Sequence, residues 1–131
     1  GRLDYNTSGI LLLTNDGDFS NNVMHPRYEV KKTYIAEVDK DILGADLRNI
    51  AKGIKLEDGV TAPAKARVLE PKVVEITIHE GKNRIIRRML EKLGFKVKFL
   101  KRVRIGKLGL DTLKPGRYRT LSKSDIDKIF K

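Results

Sequence analysis

Residues 80–106 read EGKNRIIRRMLEKLGFKVKFLKRVRIG, and a change of period inside them decides what kind of fold the chain builds. From Asn83 to Leu93 the apolar residues Ile86, Met89, Leu90 and Leu93 recur at i, i+3, i+4 and i+7, which is one face of an α-helix. Arg84, Arg88 and Glu91 fall on the opposite side. Arg87 lies at the edge of the stripe, ~60° from Leu90 at ~100° per residue, so it points along the core boundary. Gly94 ends the helix. Beyond it the period drops to two, and FKVKFLKRVRIGKLGL predicts one or two strands.

The rest of the chain supplies partners for both. ILLLT (10–14) is a short apolar run between Gly9 and NDGD, read as a buried strand ending in a turn. GDFSNNVMHP predicts a short helix stopped by Pro26. KKTYIAEVD alternates, with Thr33, Ile35 and Glu37 on one side and Tyr34, Ala36 and Val38 on the other. ILGADLRNIAKG predicts a helix with Gly53 beyond its end. GIKLEDG, AKARVLE and VVEITIHE read as three more strands. SKSDIDKIFK closes with a helix capped by Ser122 or Ser124. No repeat or internal linker interrupts these elements. The expectation is one α/β (α+β) domain over residues 1–131, a mixed, mainly antiparallel sheet with flanking helices.

Composition narrows the chemistry. The chain has 131 residues, 28 Lys and Arg against 17 Asp and Glu, a formal charge of +11 and 40% hydrophobic residues. That is a globular composition with a bias towards polyanions, nucleic acid first and an acidic membrane surface second. The sequence shows no long apolar run and no lipidation motif, which disfavours the membrane. Without cysteine there is no thiol catalysis, disulfide or cysteine zinc site. His25 and His79 lack ligand spacing, so no metal site is expected.

The charge clusters. Lys82, Arg84, Arg87, Arg88, Lys92, Lys96, Lys98, Lys101, Arg102, Arg104 and Lys107 face only Glu80 and Glu91 in their own stretch. Such a density repels itself unless an anion lies beside it, or it is simply a solvated face. Gly81, Lys82 and Asn83 precede a helix, where free N–H groups hold phosphate or merely cap a turn. In GRLDYNTSG (1–9), Asp4 is a carboxylate beside Arg2. It reads as a turn residue or, kept ionised, as a nucleophile or base. Tyr34 reads as a core phenol or as a ring for stacking on a base.

Taken in order, GRLDYNTSGILLLTNDGDF, KTY after HP, EGKNRIIRRMLEKLGFKVKFLKRVRIG and LKPGRYRTL closely resemble the RsuA-type ribosomal RNA pseudouridine synthases over nearly the whole chain. The resemblance implies the pseudouridine synthase catalytic fold and isomerisation of specific uridines in ribosomal RNA, with no metal or cofactor. It places the catalytic aspartate at Asp4. Arg2 is implied to contact the flipped nucleotide or its neighbours. Tyr34 is implied to pack on the target base and assist proton transfer, Arg87 to pair with the aspartate, and Leu100 to pack under the base. Lys32, Lys82, Asn83, Arg84, Arg88, Lys101 and Arg102 are expected to hold RNA.

A base inside paired RNA must flip out before C1′ is reachable. The carboxylate then attacks C1′ or abstracts the C2′ proton. Ile85 departs from the family, which usually has Gln there. Family members also carry an S4-type RNA-binding domain and first strands with a KP.G stretch before GRLD. The chain is therefore expected to be a partial catalytic domain, otherwise monomeric and cytoplasmic, whose first segment is a separate or disordered piece. The alternative function is a non-catalytic RNA-binding or ribosome-assembly module on the same scaffold.

Overall fold

The computed structural model describes residues 1–79 and 84–130. Its main sheet has the order β1-β7-β2-β6-β5, where β1 is Ser8–Gly9, β2 Lys32–Val38, β5 Lys65–Glu70, β6 Val73–Ile78 and β7 Val97–Ile105. The short β8, Leu108–Gly109, pairs antiparallel with the end of β7. Only β1 with β7 is parallel, and the other pairings in the sheet are antiparallel. Helices α1 (Gly17–Met24), α2 (Gly44–Lys52), α3 (Ile85–Lys92) and α4 (Lys123–Phe130) flank it. The mixed, mainly antiparallel α/β expectation therefore holds. No described helix is long and apolar enough to cross a membrane.

Helices α1 and α4 start where a side chain satisfies the free N–H groups. The Asp16 carboxylate accepts from the Asp18 and Phe19 amides at α1. At α4, Ser122 Oγ accepts from the Asp125 amide while Asp125 Oδ2 accepts from the Ser122 amide, a reciprocal capping box that selects Ser122 over Ser124. His25 is neither ligand nor plain surface. Its Nδ1 accepts from the Arg27 amide at 3.2 Å and caps the 3-10 turn Pro26–Tyr28 that ends α1.

Two sequence expectations fail, both for reasons of pairing. ILLLT is not a buried strand. Ile10 is buried, but Leu11 and Leu13 project into solvent, Leu13 at 84% exposure. The parallel register Ser8↔Lys101, Gly9↔Arg102 would carry Leu11 to Arg104 and Leu12 to Ile105, yet β8 already pairs with those two residues. The ladder therefore stops after Gly9. GIKLEDG does not join the sheet either. Glu57–Asp58 turn the chain, and β3 (Lys55–Leu56) folds back on β4 (Gly59–Val60) as a separate hairpin.

The core has two centres. Ala36, Val38, Val74, Ile76, Ile78 and Leu100 of the sheet pack against Ile50 of α2 and Ile85, Ile86, Met89 and Leu90 of α3. Ile10, Val30, Ile105, Leu108 and Ile129 form the second, with Leu12, Phe19 and Val23 packed against it. The α3 stripe is as the periodicity required, with Met89 and Leu90 almost wholly buried.

A cationic cavity around Asp4

A cavity of about 680 Å³ opens where the two core centres do not merge. Ile85, Ile86 and Leu100 line it from the first centre, and Phe19, Val23, Val30 and Ile105 from the second. Into this apolar hollow come Arg2, Asp4, Lys32, Tyr34, Arg84 and Arg102. Residues from the first, second and last thirds of the chain meet there.

Asp4 is delivered by a turn that is held from three directions. The Thr7 amide donates to the Asp4 carbonyl at 2.9 Å. Ser8 and Gly9 pair with β7, and the Ile10 amide donates to the Arg102 carbonyl at 3.0 Å. Arg102 returns the contact, its Nε and Nη2 both donating to the Ile10 carbonyl, at 2.9 and 2.6 Å. Gly9 has φ +116°, and a Cβ there would fall on the Arg102 carbonyl oxygen. Glycine is what lets β1 approach β7 closely enough to set the turn.

The third hold is Arg87. Its side chain is 8% exposed, and its Nη2 donates to the Asn6 carbonyl at 3.1 Å. Among the described residues no ion pair joins it to Asp4, and its buried Nε has no partner. The edge-of-stripe position is confirmed, but Arg87 grips the backbone of the turn instead of the carboxylate. The reason is geometric: the helix edge meets the turn at Asn6, two residues past Asp4. Arg87 does not line the cavity.

Tyr34 lies on the face of β2 shared with Ala36 and Val38, as the alternation requires, packs against the first core centre and lines the cavity. Leu100, paired with Ala36 across β2 and β7, forms an apolar wall. Ile85, at the position of the missing Gln, is buried and adds a second apolar wall. Lys32 is half-buried beside Arg102. Burial, and then the like charge of Arg102, lower its ammonium pKa below the ordinary lysine value. Arg84, exposed at the start of α3, has a left-handed backbone at φ 52°.

The expected RNA-holding set is divided. Lys32, Arg84 and Arg102 reach the cavity. Arg102 is buried and already committed to the Ile10 carbonyl, so it serves as a clamp between β1 and β7 as well as a wall. Arg88 pairs with Asp58 at 2.9 Å, away from the cavity. Lys101 sits between two cavity-lining residues of β7, so alternation sends it to the other face of the sheet. Lys82 and Asn83 lie outside the described residues. Sequence reasoning missed the Arg87–Asn6 contact, the close approach at Gly9 and the α1 wall of Phe19 and Val23. The first two join positions 81 and 93 residues apart, and carry no local signal.

Comparison with known proteins fits this arrangement. The profile of a family described as RNA pseudouridylate synthase matches residues 1–92. Ribosomal large subunit pseudouridine synthase B of Bacillus subtilis is 47% identical over 98% of this chain and 55% of its own length. Ribosomal small subunit pseudouridine synthase A of Vibrio cholerae is 41% identical over 100% of this chain and 58% of its own. A crystal structure of a pseudouridylate synthase superposes with a TM-score of 0.94 at 39% identity, covering 98% of this chain and 57% of that one. The chain thus spans about half the length of the curated relatives it matches.

Proposed function

Because the chain belongs to the RNA pseudouridylate synthase family, we propose that it isomerises uridine in ribosomal RNA to pseudouridine, with Asp4 as the catalytic carboxylate. The observation that carries this is the convergence of Arg2, Asp4, Tyr34 and Leu100 on one cavity. A carboxylate repels phosphate, so a surface that only binds RNA gains nothing from Asp4 at the centre of its cations.

In this reading a flipped uridine enters the cavity, its base against Leu100 and Tyr34. The Asp4 carboxylate attacks C1′, or removes the C2′ proton, and the N1–C1′ bond breaks with its electron pair leaving on the uracil. The base turns within the cavity, C5 bonds to C1′ as the Asp4–C1′ bond breaks or, on the second route, as Asp4 returns the proton to C2′, and then C5 loses its proton and N1 gains one. All atoms of the uridine are kept and no electrons are exchanged, so the balance calls for no cofactor. Tyr34 is the tyrosine that lines the cavity, where its phenol can serve a proton transfer. Arg2, Lys32 and Arg84 neutralise the backbone of the incoming strand. Arg87 acts as a positioning residue, through Asn6. Residues 1–131 are read as part of one catalytic domain, acting in the cytoplasm where ribosomal RNA is found.

The test is Asp4→Asn in the intact protein, with chemical mapping of pseudouridine in ribosomal RNA. Product should vanish while RNA affinity is kept. Product at the parent rate would end the assignment of Asp4.

A further inference from the structure

Tyr5 follows the proposed catalytic carboxylate and has no part in the chemistry above. Its side chain is fully exposed, at 103%. Leu3, Asp4 and Thr7 all line the cavity, so the backbone of Tyr5 runs beside it while the ring projects into solvent. Arg2 and Arg84 line the cavity too and are exposed. Among the described residues no ring or cation packs on Tyr5, whereas Tyr28 has Arg27 over its ring at 4.9 Å and Phe130 at its edge. The backbone beneath Tyr5 is nevertheless firmly placed, by the Thr7–Asp4 hydrogen bond, the Arg87–Asn6 hydrogen bond and the β1–β7 pairing.

From this we infer that Tyr5 is a stacking platform for an RNA base beside the uridine held in the cavity. The inference rests on reading that cavity as the uridine site. Flipping one nucleotide removes a stacking partner from its neighbour in the strand. A tyrosine ring one residue from the carboxylate is placed to replace that partner. With its backbone already fixed, the ring has only two side-chain torsions to order, so little of the stacking is lost to entropy. The rim cations hold the adjoining phosphates, the usual companion of a stacking ring in single-strand binding. Tyr118, at 89% exposure, lies away from the cavity walls and serves as the comparison.

The chain contains no tryptophan, so Tyr5→Trp places a single indole in it. Binding of a uridine-bearing ribosomal RNA hairpin should quench that emission strongly, and quench the Tyr118→Trp emission little. Tyr5→Ala and Tyr5→Leu should weaken RNA binding about 5- to 150-fold, which is what ~1–3 kcal/mol of stacking amounts to. Tyr5→Phe should restore it, since the π-face is kept. Equal binding by the parent, Ala and Phe variants would overturn the inference. So would a Tyr5→Trp emission already blue-shifted without RNA and unmoved by it, which would put a protein segment on the ring. The two readings separate cleanly. Quenching with no pseudouridine formed by the parent supports the stacking and overturns the catalytic reading. Pseudouridine formed normally by Tyr5→Ala, with unchanged affinity, overturns the stacking alone.

Discussion

Replacing Gly9 by alanine tests how the turn that carries Asp4 is built. An added Cβ would fall on the Arg102 carbonyl oxygen and lie 2.6 Å from the Arg102 nitrogen and 2.8 Å from its carbonyl carbon. Those are backbone atoms, so no side chain can swing aside; β1 itself must retreat from β7. Forcing a non-glycine residue at φ +116° adds strain of about 1–3 kcal/mol. Retreat also weakens the Ile10–Arg102 bond and its neighbour in the ladder, about 0.5–1.5 kcal/mol each. The sum is roughly 2–6 kcal/mol, against a total stability of about 5–15 kcal/mol for a domain. Urea unfolding should therefore show a loss near 3 kcal/mol, and the melting midpoint should fall by about 10 °C. At a temperature where the variant is still folded, kcat should drop by about two orders of magnitude, because Asp4 moves with β1. Gly116→Ala is the control: its φ is also positive, +80°, but nothing lies within 4 Å of the added carbon, so only the backbone strain is felt. A Gly9→Ala protein within about 0.5 kcal/mol of the parent, with unchanged kcat, would refute the close-approach argument.

Three further outcomes follow from the same geometry. Arg87→Met removes the donor to the Asn6 carbonyl; stability should fall by about 1–3 kcal/mol and kcat should fall while KM for RNA stays put, and a change in KM alone would contradict a positioning role. Lys32→Met takes one cation from the cavity; RNA affinity should fall, and the slope of log K against log salt should shrink by about 0.7–0.9, an unchanged slope meaning no phosphate contact. Asp125 is held well below the usual carboxylate range, by hydrogen bonding from Arg119 first and then from the Ser122 backbone. A folded pKa below the unfolded one stabilises above about pH 4 and is lost as pH falls through the folded value. Asp125→Asn should therefore be less stable than the parent at pH 7 and converge with it on acidification below about pH 4, in urea unfolding at each pH. A gap that stays constant with pH would show that the charge is not what holds the start of α4.

Much of this fold was legible because its signals are local. The 3.6-residue stripe of α3, the alternation of β2 and a serine cap on α4 are read within a few residues of themselves; the structure keeps the stripe and the alternation and selects Ser122 as the cap. ILLLT misled because apolarity says a segment wants burial without saying whether a ladder position is free. Here β8 had taken it. GIKLEDG does hold a strand, Lys55–Leu56, but the turn at Glu57–Asp58 inside the run pairs it with Gly59–Val60 instead of with the main sheet.

The candidate site divides along the same line. The resemblance in GRLD, KTY and KNR pointed to Asp4, Tyr34 and Arg87 as site residues, and it implied an Arg87–Asp4 pair where the fold makes an Arg87–Asn6 bond. It also treated the cations of residues 82–107 as one set. The fold sorts them by strand face and prior partner: Arg84 and Arg102 line the cavity, Lys101 faces away, and Arg88 is bound to Asp58.

By itself, then, the sequence determined the element types, the excess of positive charge and the family, because periodicity, composition and motif order are properties of short stretches and their succession. Only the tertiary structure decided which cations face the cavity, what Arg87 holds and why Gly9 must be glycine. Those answers depend on contacts such as Arg87 with Asn6 and Gly9 with Arg102, between residues some eighty or ninety positions apart. They come into being only when β1 lies down beside β7 and α3 closes over the turn.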